Sequence, residues 1–257
     1  MSDFLHFIPL HSPVRLQPFD LFQALQEALE QAQQSLQTGD ILIISSKFAA
    51  IAEGRVVTLA QVSPSPEAQQ LAATYQMSPT VAQVVIDESD HIFGGMTGFV
   101  LAVKDNIIAP NAGIDSSNIP EGQVVLYPRE SFQTAQQVRQ EIQNVFGLAV
   151  GVAICDSRLM PARTGTTGVA IGVAGFQPVI DERGKPDLLG RPLKVSQRAV
   201  ADNLCAAAQL LMGEAAEGIP MVIGRNSGQA MTEALYTWED MAIDYHDDLY
   251  VAIMGRN

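Results

Sequence analysis

The chain has 257 residues, 47% hydrophobic and 17% charged, a composition that fills a sizeable core and excludes a disordered segment. Acidic residues outnumber basic ones 28 to 15, and the formal charge of −13 argues against a surface for nucleic acid or an anionic membrane.

From residue 17 to 37, Leu21, Leu25, Ala28, Leu29, Ala32 and Leu36 recur mostly at steps of three and four, which predicts an amphipathic helix with a Gln-rich outer face. Gly39 is expected to end it as a left-handed cap. Residues 41–44 are uniformly apolar, the pattern of a strand buried on both faces. Residues 64–77 and 78–89 read as two helices, each with a Pro near its start. Residues 97–103 and 107–109 flank Lys104-Asp105-Asn106 as a hairpin, and 124–127 is another short strand. Residues 131–147 form a helix with Ala135, Val138, Ile142 and Val145 on one face, followed by a buried strand at 148–154.

Residues 168–174 alternate Val169, Ile171 and Val173 with Ala170, Gly172 and Ala174, a strand with one face of very small side chains that another backbone or a ligand can approach. Residues 181–185 read as a turn. Residues 195–212 form a helix apolar nearly all round and so central, and 219–223 is the last strand. No regular βαβ alternation appears, which speaks against a plain Rossmann or TIM-barrel fold.

The longest apolar run, residues 145–155, is well short of the roughly 20 residues of a spanning helix. No basic region precedes an apolar stretch near Asp3 and His6, so no signal peptide is expected. Cys155 and Cys205 sit in apolar surroundings, which points to a reduced, cytoplasmic protein and against a cysteine nucleophile. His6, His11, His91 and His246 form no pair at zinc-binding spacing.

Four segments could carry chemistry. In 111–118, Asp115 is flanked by short oxygen donors on a tight loop, suited to a hard cation or to an Asx-turn satisfying its own backbone. Asp156 and Ser157 close the predicted strand at 148–154, where they could serve a metal or a turn. Ser45-Ser46-Lys47 closes the strand at 41–44, where hydroxyls and an ammonium could receive phosphates, although no P-loop motif is present. Gly165-Thr166-Thr167-Gly168 reads as close strand packing, and Glu214 as a metal ligand or a solvated carboxylate.

Taken in order, Ile8-Pro9-Leu10, Gly39-Asp40, Ser46-Lys47, Ala52-Glu53-Gly54-Arg55, 111–118, Asp156-Ser157, 168–175 and 187–191 resemble the γ-glutamyl ligases that add glutamate to the deazaflavin coenzyme F-420. The resemblance implies a mixed α/β fold peculiar to that family, with largely antiparallel sheets in an intertwined homodimer. One ligase domain would span 1–257, with a smaller lobe within roughly 60–110. It implies GTP and Mg²⁺ or Mn²⁺, with K⁺ a further candidate, and L-glutamate and a deazaflavin-type carboxylate as co-substrates. Carried over by position, Asp115, Asp156, Ser157 and Glu214 would be metal ligands. Ile8, Pro9, Leu10, His11, Ser46, Lys47, Asn118, Met212 and Gly213 would contact the nucleotide.

The residues also depart from the family pattern. Ile51 stands where many relatives have a Lys, and Leu159, Met160 and Ala162 replace a Gly, an Arg and an aromatic. The Ile51 change is expected to remove a charge-assisted nucleotide contact, typically ~1.5–3 kcal/mol. These departures leave two alternatives open: the same ligase chemistry on another carboxylate, or a non-catalytic nucleotide- and metal-binding protein. No residue is assigned as a general base.

Overall fold

The apolar runs of the sequence meet in one five-stranded sheet with helices on both faces. The computed structural model describes residues 4–244 and 246–254. The elements follow as β1 (His6–Leu10), α1 (Leu21–Gln31), β2 (Ile41–Ser45), α2 (Ser46–Ala52), β3 (Val56–Thr58), α3 (Pro66–Tyr75), α4 (Pro79–Glu88), β4 (His91–Met96), β5 (Phe99–Lys104) and β6 (Ile107–Pro110). Next come β7 (Gln123–Val125), α5 (Ser131–Phe146), β8 (Gly151–Leu159), β9 (Thr166–Ala174), β10 (Val179–Asp181), β11 (Gln197–Ala199), α6 (Val200–Met212), β12 (Met221–Arg225) and α7 (Leu249–Met254).

The sheet has the order β1-β12-β2-β8-β9, and every neighbouring pair is antiparallel except β2 with β8. A mixed, largely antiparallel α/β architecture is therefore observed. Leu42, Ile44, Val152 and Ile154 face α1 and α5, packing on Leu25, Leu29, Val138 and Ile142. Ile41, Ile43 and Ala153 face α6, packing on Val200, Leu204 and Ala208. Residues 41–44 are thus buried on both faces, as their unbroken apolar run requires.

Residues 66–110 build the helix pair α3–α4, packed through Ala68, Ala72 and Ala82, and the sheet β4-β5-β6. The predicted hairpin is present, with Asp105 and Asn106 both at positive φ, as a type I′ turn needs. Two strands carried no readable pattern. In β4, Gly94 and Gly95 interrupt any alternation, and a Cβ on Gly95 would lie 2.1 Å from the Phe99 carbonyl oxygen. Strand β3 has three residues and exists by pairing with β7.

Several boundaries differ from the sequence expectation. Helix α1 starts after Asp20, whose carboxylate accepts from the Gln23 N–H, and it stops at Gln31 rather than near residue 37. The stop is a Schellman motif: Gln33 takes φ +52°, and the Gln34 N–H donates to the Leu29 carbonyl at 2.9 Å. Gly39 has positive φ but leads into β2 and caps no helix. Val145 is exposed, off the face formed by Ala135, Val138 and Ile142. Helix α6 starts at Val200, because residues 197–199 pair with β10, and its Leu210 is exposed, so it covers one sheet face and is not central. Strand β8 runs past Ile154 to Leu159, carrying Asp156 and Ser157 inside it.

The small-residue face of β9 is also split. Ile154 pairs with Gly172 but Cys155 pairs with Ala170, so Ile171 is an extra residue that reverses the alternation. Gly168 and Ala170 turn toward α6, and Gly172 and Ala174 toward α5. A Cβ on Gly172 would sit 2.5 Å from the Ser131 carbonyl carbon. Replacing Gly172→Ala is therefore expected to destabilise the chain by about 1–3 kcal/mol through overpacking, read as a lowered urea midpoint at unchanged m-value.

Candidate functional site

The parallel register that sets Ser45 opposite Cys155 brings the next residues, Ser46 and Asp156, together at the C-terminal end of both strands. Ser46 Oγ donates to Asp156 Oδ1 at 2.7 Å, and Tyr127 OH donates to Oδ2 at 2.6 Å. Burial raises the Asp156 pKa above the ordinary value, outweighing the hydrogen bonds from Tyr127 and Ser46 and the nearby charge of Arg158. Burial, and then the neighbouring Asp156 charge, pushes the Tyr127 phenol well above its usual range, so it remains a proton donor.

Asp115 approaches from the loop after β6. Its Oδ1 accepts the Ser117 N–H at 2.7 Å, the Asx-turn foreseen for this segment, and its Oδ2 lies 2.6 Å from Lys47 Nζ. Burial acts to raise this carboxyl, but Lys47 and the Ser117 donors outweigh it and hold the pKa below the ordinary value. Lys47 Nζ also donates to Ser117 Oγ at 2.6 Å. Glu214, just beyond α6, accepts from Ser157 Oγ at 3.3 Å and Thr166 Oγ1 at 2.8 Å, and from Gln209 Nε2. Asn118 Nδ2 donates to the Ala215 carbonyl at 2.8 Å, fastening the Asp115 loop to the loop after α6.

These groups line one cleft of about 200 Å³. Ser46, Lys47, Asp115, Asn118, Asp156, Ser157, Met212, Gly213 and Glu214 all face it, with Glu217 and Pro220 opposite. Ile8, Pro9, Leu10 and His11 do not. The first three lie in β1, paired with β12, and Leu10 is fully buried, while His11 is exposed. Ile51 is also elsewhere: it is buried against Val125, so its replacement of a Lys acts on packing and not in the cleft. Leu159 and Met160 are exposed at the β8–β9 hairpin tip.

Among the described residues, no three His, Cys, Asp or Glu side chains cluster tightly enough to hold a metal by themselves. The donor set still fits one. Mg²⁺ is commonly held by one or two carboxylates, with substrate phosphates and water completing its shell, and the cleft offers carboxylates and hydroxyls beside the Lys47 ammonium and the Asn118 amide.

The family described as F420-0:Gamma-glutamyl ligase matches residues 12–226. The chain belongs to this family. It is 36% identical over 207 residues to the coenzyme F420:L-glutamate ligase of Methanothermobacter thermautotrophicus, covering 80% of this chain and 82% of that one. It is 37% identical to the enzyme of the same name from Methanopyrus kandleri, covering 85% and 84%. With that from Methanocaldococcus jannaschii the identity is 39%, covering 76% and 79%.

In this member of the ligase family, the Ala-Glu-Gly-Arg motif is scaffolding. Glu53 accepts from the Arg129 N–H at 2.9 Å and Thr134 Oγ1 at 2.7 Å, fixing the start of α5. Arg55 Nε donates to the Tyr127 carbonyl at 3.0 Å, and its Nη2 to Glu88 at 2.6 Å. Tyr127 was not singled out in the sequence, where it reads as the end of a strand. The signal lay in Gly113, at φ +75°: a Cβ there would lie 2.0 Å from Tyr127 Cζ, so the loop can cross the ring only with glycine.

Tyr127→Phe removes a donor from a buried carboxylate. Because the Asp156 pKa is raised on folding, its ionisation opposes folding, and stability falls as pH rises from the ordinary carboxylate range toward the folded value. Loss of the Tyr127 donor is expected to deepen that fall. Urea midpoints taken from about pH 5 to about pH 8 should show the variant's deficit growing with pH, toward roughly 1.5–3 kcal/mol.

Proposed function

We propose that the chain is a GTP-dependent ligase that joins the amine of L-glutamate to a carboxylate of a deazaflavin coenzyme F-420 precursor. The observation that carries this reading is the meeting in one cleft of Asp115, Asp156, Ser157 and Glu214 with the ammonium of Lys47. The names of the relatives, each a coenzyme F420:L-glutamate ligase, support the same substrates.

A carboxylate is a poor electrophile. In the proposed sequence its oxygen attacks the γ-phosphorus of GTP, the bond to GDP breaks, and an acyl phosphate forms. The glutamate nitrogen then attacks the acyl carbon, the C–O bond to phosphate breaks, and the amine proton leaves. Negative charge accumulates throughout the phosphoryl transfer, and fixed positive groups lower its cost. Asp115, Asp156, Ser157 and Glu214 are the side chains that would hold Mg²⁺ or Mn²⁺. When bound, the cation neutralises phosphate charge that the carboxylates alone would repel. Lys47 can release Asp115 to the cation and turn its ammonium to phosphate without leaving the cleft. Asn118, Met212 and Gly213 form the wall against which the nucleotide would lie. Two buried free thiols suit a reducing compartment, and the cytoplasm is the proposed location.

The test is product formation from GTP, L-glutamate and the deazaflavin acceptor with Mg²⁺ or Mn²⁺, followed by mass spectrometry. The expected product carries an added glutamyl group, and EDTA or Asp115→Ala should lower the rate at least 100-fold. Metal-dependent GTP binding without product in any acceptor screen would favour a non-catalytic role, and loss of nucleotide binding altogether would sink the reading.

A homodimer is proposed with it. Leu159, Met160, Leu188, Leu189 and Val195 are exposed apolar side chains of the kind a second copy would cover. Light scattering should give twice the 27.6 kDa chain mass at micromolar concentration, and a monomer would contradict it.

A further inference from the structure

A second cleft, of about 210 Å³, opens beside the first. The two share β8. Asp156 and Ser157 line the nucleotide cleft, and the next residue, Arg158, lines the second. The charge of Arg158 acts on Asp156 on one side and on Asp202 on the other, so the two clefts are electrostatically adjacent. Neither the metal ligands nor the nucleotide-binding residues proposed above include any residue of this second cleft.

Its polar groups are incompletely used. Arg158 Nε is buried with no hydrogen-bond partner. Buried polar groups are nearly always paired, so a guanidinium with an unpaired Nε at a cleft wall gains by turning toward an acceptor bound in the cleft. Opposite it, Asp202 on α6 uses Oδ1 to accept the Ala170 N–H at 2.9 Å. Burial raises the Asp202 pKa above the ordinary value, a tension that a cationic neighbour would relieve. The remaining wall carries Asn106 and Asp248 at its polar positions, and Trp238, Met241 and Ile243 are able to cover a short methylene chain.

We propose that this cleft is the L-glutamate subsite, in which Arg158 takes a carboxylate of the amino acid and Asp202 its ammonium. A guanidinium and a carboxylate facing one small cleft match the paired charges of an α-amino acid, with Arg158 two residues beyond Asp156 on β8 and Asp202 on α6. The assignment rests on the ligase reading for its substrate, but it can be tested without turnover.

Trp238 is the one tryptophan of the chain, so its fluorescence reports this cleft alone. L-Glutamate titrated into the full-length protein, with and without GDP and Mg²⁺, should change that fluorescence saturably. Glutarate, which keeps both carboxylates and lacks the amine, should bind at least tenfold more weakly to the unaltered protein. Arg158→Gln should raise the apparent Kd and the KM for L-glutamate by about tenfold to a hundredfold, while the KM for GTP changes far less. Asp202→Asn should abolish the preference over glutarate. No response up to about 10 mM L-glutamate would overturn the proposal, as would equal binding of glutarate, or a response to the deazaflavin acceptor alone. Ligase activity with an unchanged glutamate KM in Arg158→Gln would refute the subsite and leave the function standing. Saturable, Arg158-dependent binding without product would do the reverse.

Discussion

The parallel pairing of β2 with β8 is the constraint from which the site follows. It is the one parallel contact in an otherwise antiparallel sheet, and it makes both strands end at the same edge. Had β8 run the other way, Ser46-Lys47 and Asp156-Ser157 would lie at opposite ends of the sheet. Parallel strands need a long connection, and residues 46–150 supply it. That connection includes the Asp115 loop and Tyr127, which return over the same edge, so the crossover delivers part of the site as well as closing the fold.

The acidity of the chain takes on two meanings in this frame. Pairs such as Arg183–Asp181 and Lys185–Glu182 lie at the surface and contribute little to stability. Asp115 and Asp156 differ from these and from each other. The first is kept ionised by an ammonium and the second is strained by burial, so two carboxylates lining one cleft start from opposite electrostatic positions. Asp40 is a third kind: 1% exposed, it is held by both Arg225 Nε at 2.9 Å and Nη2 at 2.7 Å and serves the scaffold only.

Most of the sheet was legible because its strands are short apolar runs and its helices are periodic. What escaped was whatever depended on a neighbour. Strand β4 has no pattern of its own, β3 has three residues, and the end of α1 turns on Gln33 accepting a positive φ that composition does not announce. In the candidate site, Asp115, Asp156, Ser157, Glu214, Ser46 and Lys47 stood out by residue type, and the structure gathers them. Ile8 to His11 came only with the resemblance and are not among the residues that line the cleft. Tyr127 was invisible because an aromatic at a strand end looks like core until its hydroxyl is seen against a carboxylate. The cleft at Arg158 was hidden for a related reason: its lining comes from β8, β9, α6 and the segment after β12, which only the fold brings together.

The extra residue in β9 carries a last consequence. On either side of Ile171 the strand keeps two separate phases, the first half set by α6 and the second by α5. Point changes on one side leave the other phase intact. A one-residue insertion or deletion in this strand would instead rotate everything beyond it by one face, turning Val173 and Ala174 to the wrong layers. Length is thus a quantity this strand must conserve, alongside the close backbone approaches at Gly168 and Gly172.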